Sequence, residues 1–151
     1  MLYLHFNVDS RHYGVEVGQI IEVIPWVTLR AIPLAPDYVR GCFKYRGRLV
    51  PVLDMTSIIE KRAAKKFFSS RITIVKYKEK HLLGLLMEGA TETIQRESES
   101  FQDSGVKVEG SPFLGGISAE DKEFVQFVKI EELLSESVRE IIFSDTGGEG
   151  Q

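Results

Sequence analysis

An all-β fold of small barrels or a sandwich, followed by one late helix, is the class this sequence predicts. Three observations predict it. Residues alternate apolar and polar with a period of two from the start of the chain, over Leu2–Val8. The block Val39 to Met55, VRGCFKYRGRLVPVLDM, reads as two apolar strands meeting at an Arg46-Gly47 turn. Only one stretch, Ile130 to Phe143, carries apolar residues at sustained helical spacing. Many short strands separated by turns suit a sheet closed on itself or packed on another, and closure removes edges that invite aggregation.

The elements follow in order. Leu2, Leu4, Phe6 and Val8 share one face of the first strand, with Tyr3, His5 and Asn7 on the other. Asp9 to His12 is turn-like, and Tyr13–Val17 alternates again, so the two runs pair as a hairpin. Ile20–Ile24 is a strand whose lone carboxylate, Glu22, is expected on the solvent face or in an ion pair. Trp26–Ile32 is a further strand candidate, and Pro33 and Pro36 punctuate the loop after it. Val39–Tyr45 and Arg48–Leu53 form the block's hairpin. Pro51 has no amide hydrogen, which predicts an edge strand or a bulge. Asp54 is placed to cap a short helix over Met55–Glu60.

Lys61–Ser70 (KRAAKKFFSS) reads as a basic loop whose aromatics tuck into the barrel. Arg71–Tyr77 and Leu82–Met87 are strands, and Gln95–Glu109 is a polar loop. Phe113–Ile117 and Phe124–Val128 are the last strands. Ile130–Phe143 is a helix whose Glu131-Glu132 sit at its positive end. One domain, residues 1–143, is expected, with Ser144–Gln151 (SDTGGEGQ) as a flexible tail.

Composition narrows the function. A chain of 151 residues with 43% hydrophobic content can bury a real core. Its net charge of −3 argues against a dedicated nucleic-acid binder. Cys42 is the only cysteine, no signal peptide is read after Met1, and no apolar run suits a membrane span. A cytoplasmic protein with no direct membrane insertion is expected.

Chemistry is mostly missing. His5, His12 and His81 are separated in sequence without metal-ligand spacing, so no metal is expected. No phosphate-binding glycine loop and no nucleophile elbow occur, and Cys42 in an apolar strand suits a core residue. No cofactor and no catalytic residue are expected. Lys61, Arg62, Lys65, Lys66 and Arg71 around Phe67-Phe68 leave RNA or an anionic membrane surface as the alternative partner of residues 61–71. Arg46 in the strand turn is the sharper feature, because arginine is favoured at interface hot spots.

At this point the motif order resembles the CheW family, adaptors that couple chemoreceptors to the histidine kinase CheA in bacterial chemotaxis. Tyr13-Gly14-Val15 resembles its YGI segment, and Glu22-Val23 its V-x-E-I/V segment. Pro36, Gly41, Arg46-Gly47 and Pro51-Val52-Leu53-Asp54-Met55 resemble its P…G…RG…PV-x-DL run. Ile72–Val75, Gly84-Leu85 and Val128–Leu134 resemble its later segments, so the likeness covers about residues 2 to 143. Lys44-Tyr45 stands where the family usually has Asn-Leu, and Met87 to Ala90 where it has V-D-x-V.

The resemblance implies two interlocked five-stranded barrels of Src-homology-3-like type and no catalysis. It implies two partners, the cytoplasmic tip of a chemoreceptor and the regulatory domain of a CheA-type kinase. Carried over by motif, the partner-binding residues are Glu22 and Arg46, with Ile20, Gly41 and Gly47 nearby in the pattern. The kinase-binding side falls on the other subdomain.

Overall fold

Residues 1–102, 111–120 and 123–147 are described by the computed structural model. Alternation pairs β1 (Leu2–Val8) with β2 (Arg11–Glu16) in the expected antiparallel hairpin, Tyr3 opposite Glu16 and Val8 opposite Arg11. The chain then leaves for a second sheet. It makes β3 (Ile20–Pro25), β4 (Val39–Tyr45), β5 (Arg48–Asp54), the helix α1 (Met55–Glu60), β6 (Arg71–Tyr77) and β7 (His81–Met87). It returns to the first sheet with β8 (Gly89–Gln95), β9 (Leu114–Glu120) and β10 (Glu123–Val128), and ends in α2 (Glu136–Gly147).

The sheets have the orders β8-β1-β2-β10-β9 and β3-β6-β7-β5-β4. Their pairing patterns are the same: antiparallel, antiparallel, parallel, antiparallel. Each curls so that its edge strands meet through side chains. In the first, buried Arg96 reaches from the end of β8 to Ser118 Oγ (3.1 Å) and Glu120 Oε2 (3.3 Å) on β9. In the second, Tyr45 on β4 reaches Glu22 on β3. This is the two-barrel, mostly β architecture with a C-terminal helix that was expected.

The main core is the seam between the sheets. Leu4, Phe6, Val8 and Val15 of the first pack with Leu53, Val75, Tyr77, Leu83 and Leu85 of the second, under Val138 and Ile142 of α2. A smaller cluster, Val52, Ala64, Ile72, Ile74 and Leu86, fills the other face of the second sheet. The strands β6 and β7 are therefore buried on both faces. So is β1: Tyr3 and His5 are as hidden as Leu4, while Leu2 is exposed. Tyr3 packs on Phe101 and Phe127, which cover the face opposite Leu4 and Phe6.

Five local expectations change. Trp26–Ile32 is not a strand, because the chain leaves β6 at Pro25 and rejoins the sheet only at the Arg30–Cys42 bridge. Pro51 lies in an interior strand. Cys42 opposite it gives its amide and carbonyl to Arg30, so β4 asks Pro51 for no hydrogen bond, and pairing with β7 begins only at Val52. The late helix is cut in two. Ile130–Glu132 form one 3-10 turn, and Ser135 Oγ accepts from Val138 N–H to start α2. Ile130, Leu133 and Leu134 stay buried although they precede the helix. The strand β8 is an addition; few apolar residues mark it, and Gly89 fits because a Cβ there would meet Asn7 Oδ1 at 2.5 Å. The expected tail starts as helix, since α2 runs on to Gly147; residues 103–109 of the expected loop and 148–151 of the tail lie outside the described residues.

Candidate functional site

The strand β3 is a sheet edge, and its burial alternates. Ile20, Glu22 and Ile24 are half-buried, while Ile21 and Val23 are each 41% exposed. Glu22 projects toward the β4–β5 hairpin. There Arg46 (φ 49°) and Gly47 (φ 82°) form the two-residue loop between Tyr45 and Arg48. Positive φ at both positions is the loop geometry that matches strand twist. It throws the Arg46 side chain into solvent, 75% exposed.

Two groups converge on one carboxylate oxygen of Glu22. Tyr45 Oη donates to Glu22 Oε1 at 2.5 Å, and Arg46 Nη2 stands 3.4 Å from the same atom. The Arg46 guanidinium also lies over the Tyr45 ring, 5.0 Å from its centroid. The bond to Glu22, then burial, raises the Tyr45 phenol above its ordinary pKa. Glu22 is thus the ion-pair partner that was one of its two sequence readings.

Of the five residues carried over by motif, Glu22, Arg46 and Gly47 come together. Ile20 turns to the rim of the main core. Gly41 is buried, and its φ of +135° and the Arg30 carbonyl, 2.4 Å from where a Cβ would stand, make it a close-approach glycine. It shapes the hairpin from below. What sequence reasoning missed is apolar: Ile21 and Val23 on β3, and Val27 just after it, are exposed. The alternation in Ile20-Ile21-Glu22-Val23-Ile24 contains that signal, since one of its apolar sets must face outward. An open groove beside the hairpin is lined by Leu29, Arg30, Phe43, Gly47 and Leu49.

Several other charged residues of the second barrel make internal bonds. Asp54 is fully buried, accepts from Ser57 N–H (3.1 Å) as the expected cap, and also takes Arg40 Nη1 (2.8 Å) and Ala64 N–H (2.9 Å). Arg62 holds Glu88 with two bonds (2.8 and 3.0 Å) and Asp9 with a third (2.7 Å), tying the β1–β2 turn to the second barrel. The Arg62 bonds, with the Lys65 amide, hold the Glu88 carboxyl below its ordinary range despite burial. Arg71 donates to the Phe68 and Ser70 carbonyls. The loop's aromatics do not tuck in: Phe67 is 52% and Phe68 99% exposed. Glu131, read as a helix-end acid, instead accepts from Gln19 Nε2 and the Lys78 amide.

Among the described residues, one group could hold a metal: His5, His12 and Glu123. The β1–β2 hairpin brings together two histidines that sequence spacing kept apart. No helix among the described residues is long and apolar enough to cross a membrane.

Residues 2–138 match the family described as the CheW-like domain. The chain is 24% identical over 138 residues to the probable chemotaxis protein CheW of Rhizobium etli, covering 89% of this chain and 88% of that one. It is 20% identical over 133 residues to the chemotaxis protein CheW of Helicobacter pylori, covering 87% and 80%. The crystal structure of the scaffolding protein TtCheW from Thermoanaerobacter tengcongensis superposes with a TM-score of 0.81 at 24% identity, covering 93% of this chain and 92% of that one.

Proposed function

The chain belongs to the CheW-like domain family, and from that membership we propose that it is a non-enzymatic cytoplasmic adaptor coupling a chemoreceptor to a CheA-type histidine kinase. The observation that carries the reading is the exposed Arg46, seated beside Glu22 and over the Tyr45 ring. An exposed arginine beside a tyrosine is the composition of a protein-docking hot spot. Glu22, Arg46 and Gly47 form the receptor-facing contact in this reading, with Ile20 and Gly41 shaping it from beneath. Holding two proteins on two faces raises their effective concentration for each other. Receptor state reaches the kinase only as a difference in binding free energy between states.

The test is a pull-down from native cell lysate with the purified protein, and with Arg46→Glu as the matched control. Recovery of a CheA-type kinase and a receptor, weakened by the substitution, is expected. Equal recovery with both proteins removes Arg46 from the site; recovery of neither partner by the unaltered protein sinks the adaptor reading.

A second reading has one observation in its favour, the exposed Phe67 and Phe68 beside Lys65 and Lys66. Against it, three of the loop's five cations, Lys61, Arg62 and Arg71, donate to groups within the chain. Binding to RNA or anionic vesicles would weaken steeply with salt. Absence of any gel shift or vesicle flotation at low salt disposes of it.

A further inference from the structure

We propose that His5, His12 and Glu123 form a binding site for a zinc-class divalent cation on the face of the first barrel. The site comes from strand register. His12 lies opposite Asn7 across the β1–β2 hairpin, so His5, two residues along from Asn7, is its diagonal neighbour on the same face. His12 also lies opposite Val125 of β10, which places Glu123, two residues before Val125, on that face too. Three strands thus deliver three ligand atoms to one point.

The distances suit a metal. His5 Nε2 and His12 Nδ1 are 2.7 Å apart, and Glu123 Oε1 is 3.6 Å from the first and 3.5 Å from the second. Zinc bonds of about 2.0–2.2 Å in a tetrahedron put neighbouring ligand atoms roughly 3.3–3.5 Å apart. Both edges to Glu123, 3.6 and 3.5 Å, already lie at or just above the top of that range. Only the nitrogen–nitrogen edge must open, by about 0.6 Å, as the hydrogen bond there gives way to the cation. The proton in that bond moves to the other nitrogen of its own ring, so both facing nitrogens present lone pairs.

The donor set is selective. Two imidazoles and one carboxylate are the ligands of a three-residue zinc site with a fourth position for water, whereas magnesium and calcium prefer all-oxygen shells. The ligands sit on paired strands, so little is ordered on binding. His5 is buried, while the His12 and Glu123 side chains are 36% and 41% exposed, which leaves the cation a path from solvent. Burial, then the neighbouring His12, lowers the His5 pKa, opposed by Glu123 and Glu92.

The consequence is a clamp. The β2–β10 pairing spans three residue pairs, from Val125–His12 to Phe127–Gly14. A cation shared by β1, β2 and β10 fastens β10 to the amino-terminal hairpin and stabilises the folded state by mass action.

The experiment uses the whole chain without a histidine tag, stripped with a chelator, then titrated with Zn2+ by calorimetry and with Co2+ by visible absorption. Saturation at one cation per chain, four-coordinate Co2+ bands and a raised melting temperature with Zn2+ are expected. His12→Ala and Glu123→Gln, both at partly exposed positions, should each weaken Zn2+ binding by at least about tenfold, and His81→Ala should leave it unchanged. Circular dichroism of both variants confirms that they remain folded. No saturable binding, or binding that survives both His12→Ala and Glu123→Gln, overturns the site.

Discussion

The Tyr45 phenol and the Glu22 carboxylate, 23 residues apart in sequence, meet at 2.5 Å and join the two edge strands of the second barrel. Tyr45 stands where the resemblance expects leucine, so this chain adds a donor that holds Glu22 beside Arg46. Tyr45→Phe and Glu22→Ala should each lower the urea midpoint, and the double substitution should cost less than their sum, because both remove one interaction. Strict additivity in the mutant cycle would show that the bond contributes nothing.

Arg46 and Glu22 form an exposed pair, and exposed pairs contribute about 0–1 kcal/mol. Arg46→Glu should therefore leave the unfolding free energy within about 1 kcal/mol of the parent. Lost recruitment in the proposed pull-down can then be read as lost contact. A larger loss in chemical denaturation would make Arg46 a structural residue.

Asp54 is fully buried with three donors. Asp54→Ala strands Arg40 and removes the α1 cap, and should destabilise by about 3 kcal/mol. Arg40 is partly exposed and can find water, which holds the loss to that range. Equilibrium unfolding checks it; a loss below about 1 kcal/mol would mean water replaces the carboxylate.

Glu88 sets an acid limit. Its folded-state pKa is depressed, first by the Arg62 hydrogen bonds. The unfolded state therefore binds this proton more readily, and the stabilisation is fully present above the unfolded carboxyl pKa of about 4.3. It is lost as pH falls through the lower folded value. Melting temperature should drop on acidification, and Glu88→Gln should flatten that part of the profile. Parallel profiles for the two proteins would refute the linkage.

Gly41 and Gly47 both have positive φ but should respond differently. A Cβ at Gly47 meets nothing within 4 Å, so Gly47→Ala should cost only the left-handed backbone term, about 1 kcal/mol. A Cβ at Gly41 would press on the Arg30 carbonyl, and Gly41→Ala should cost about 3 kcal/mol or more. Equal costs would show that the 28–30 segment yields freely.

Local chemistry alone determined much of this protein. Alternation located the β1–β2 and β4–β5 hairpins, Arg46-Gly47 declared its turn, and Asp54 its cap, because each signal acts within a few residues. The ordered motifs identified the family. Tertiary structure decided what depends on distant neighbours. Tyr3 and His5 are buried because a second layer covers β1. Pro51 is tolerated inside a sheet because Cys42 bonds to Arg30 instead. The apolar stripe after Lys129 stays buried although the helix starts only at Glu136, since packing asks for side-chain position and accepts more than one backbone path to it. The meeting of His5, His12 and Glu123 follows from the register of three strands, and the β2–β10 part of that register pairs residues more than a hundred positions apart. Such pairings are set by the shared core, which no local window of sequence contains.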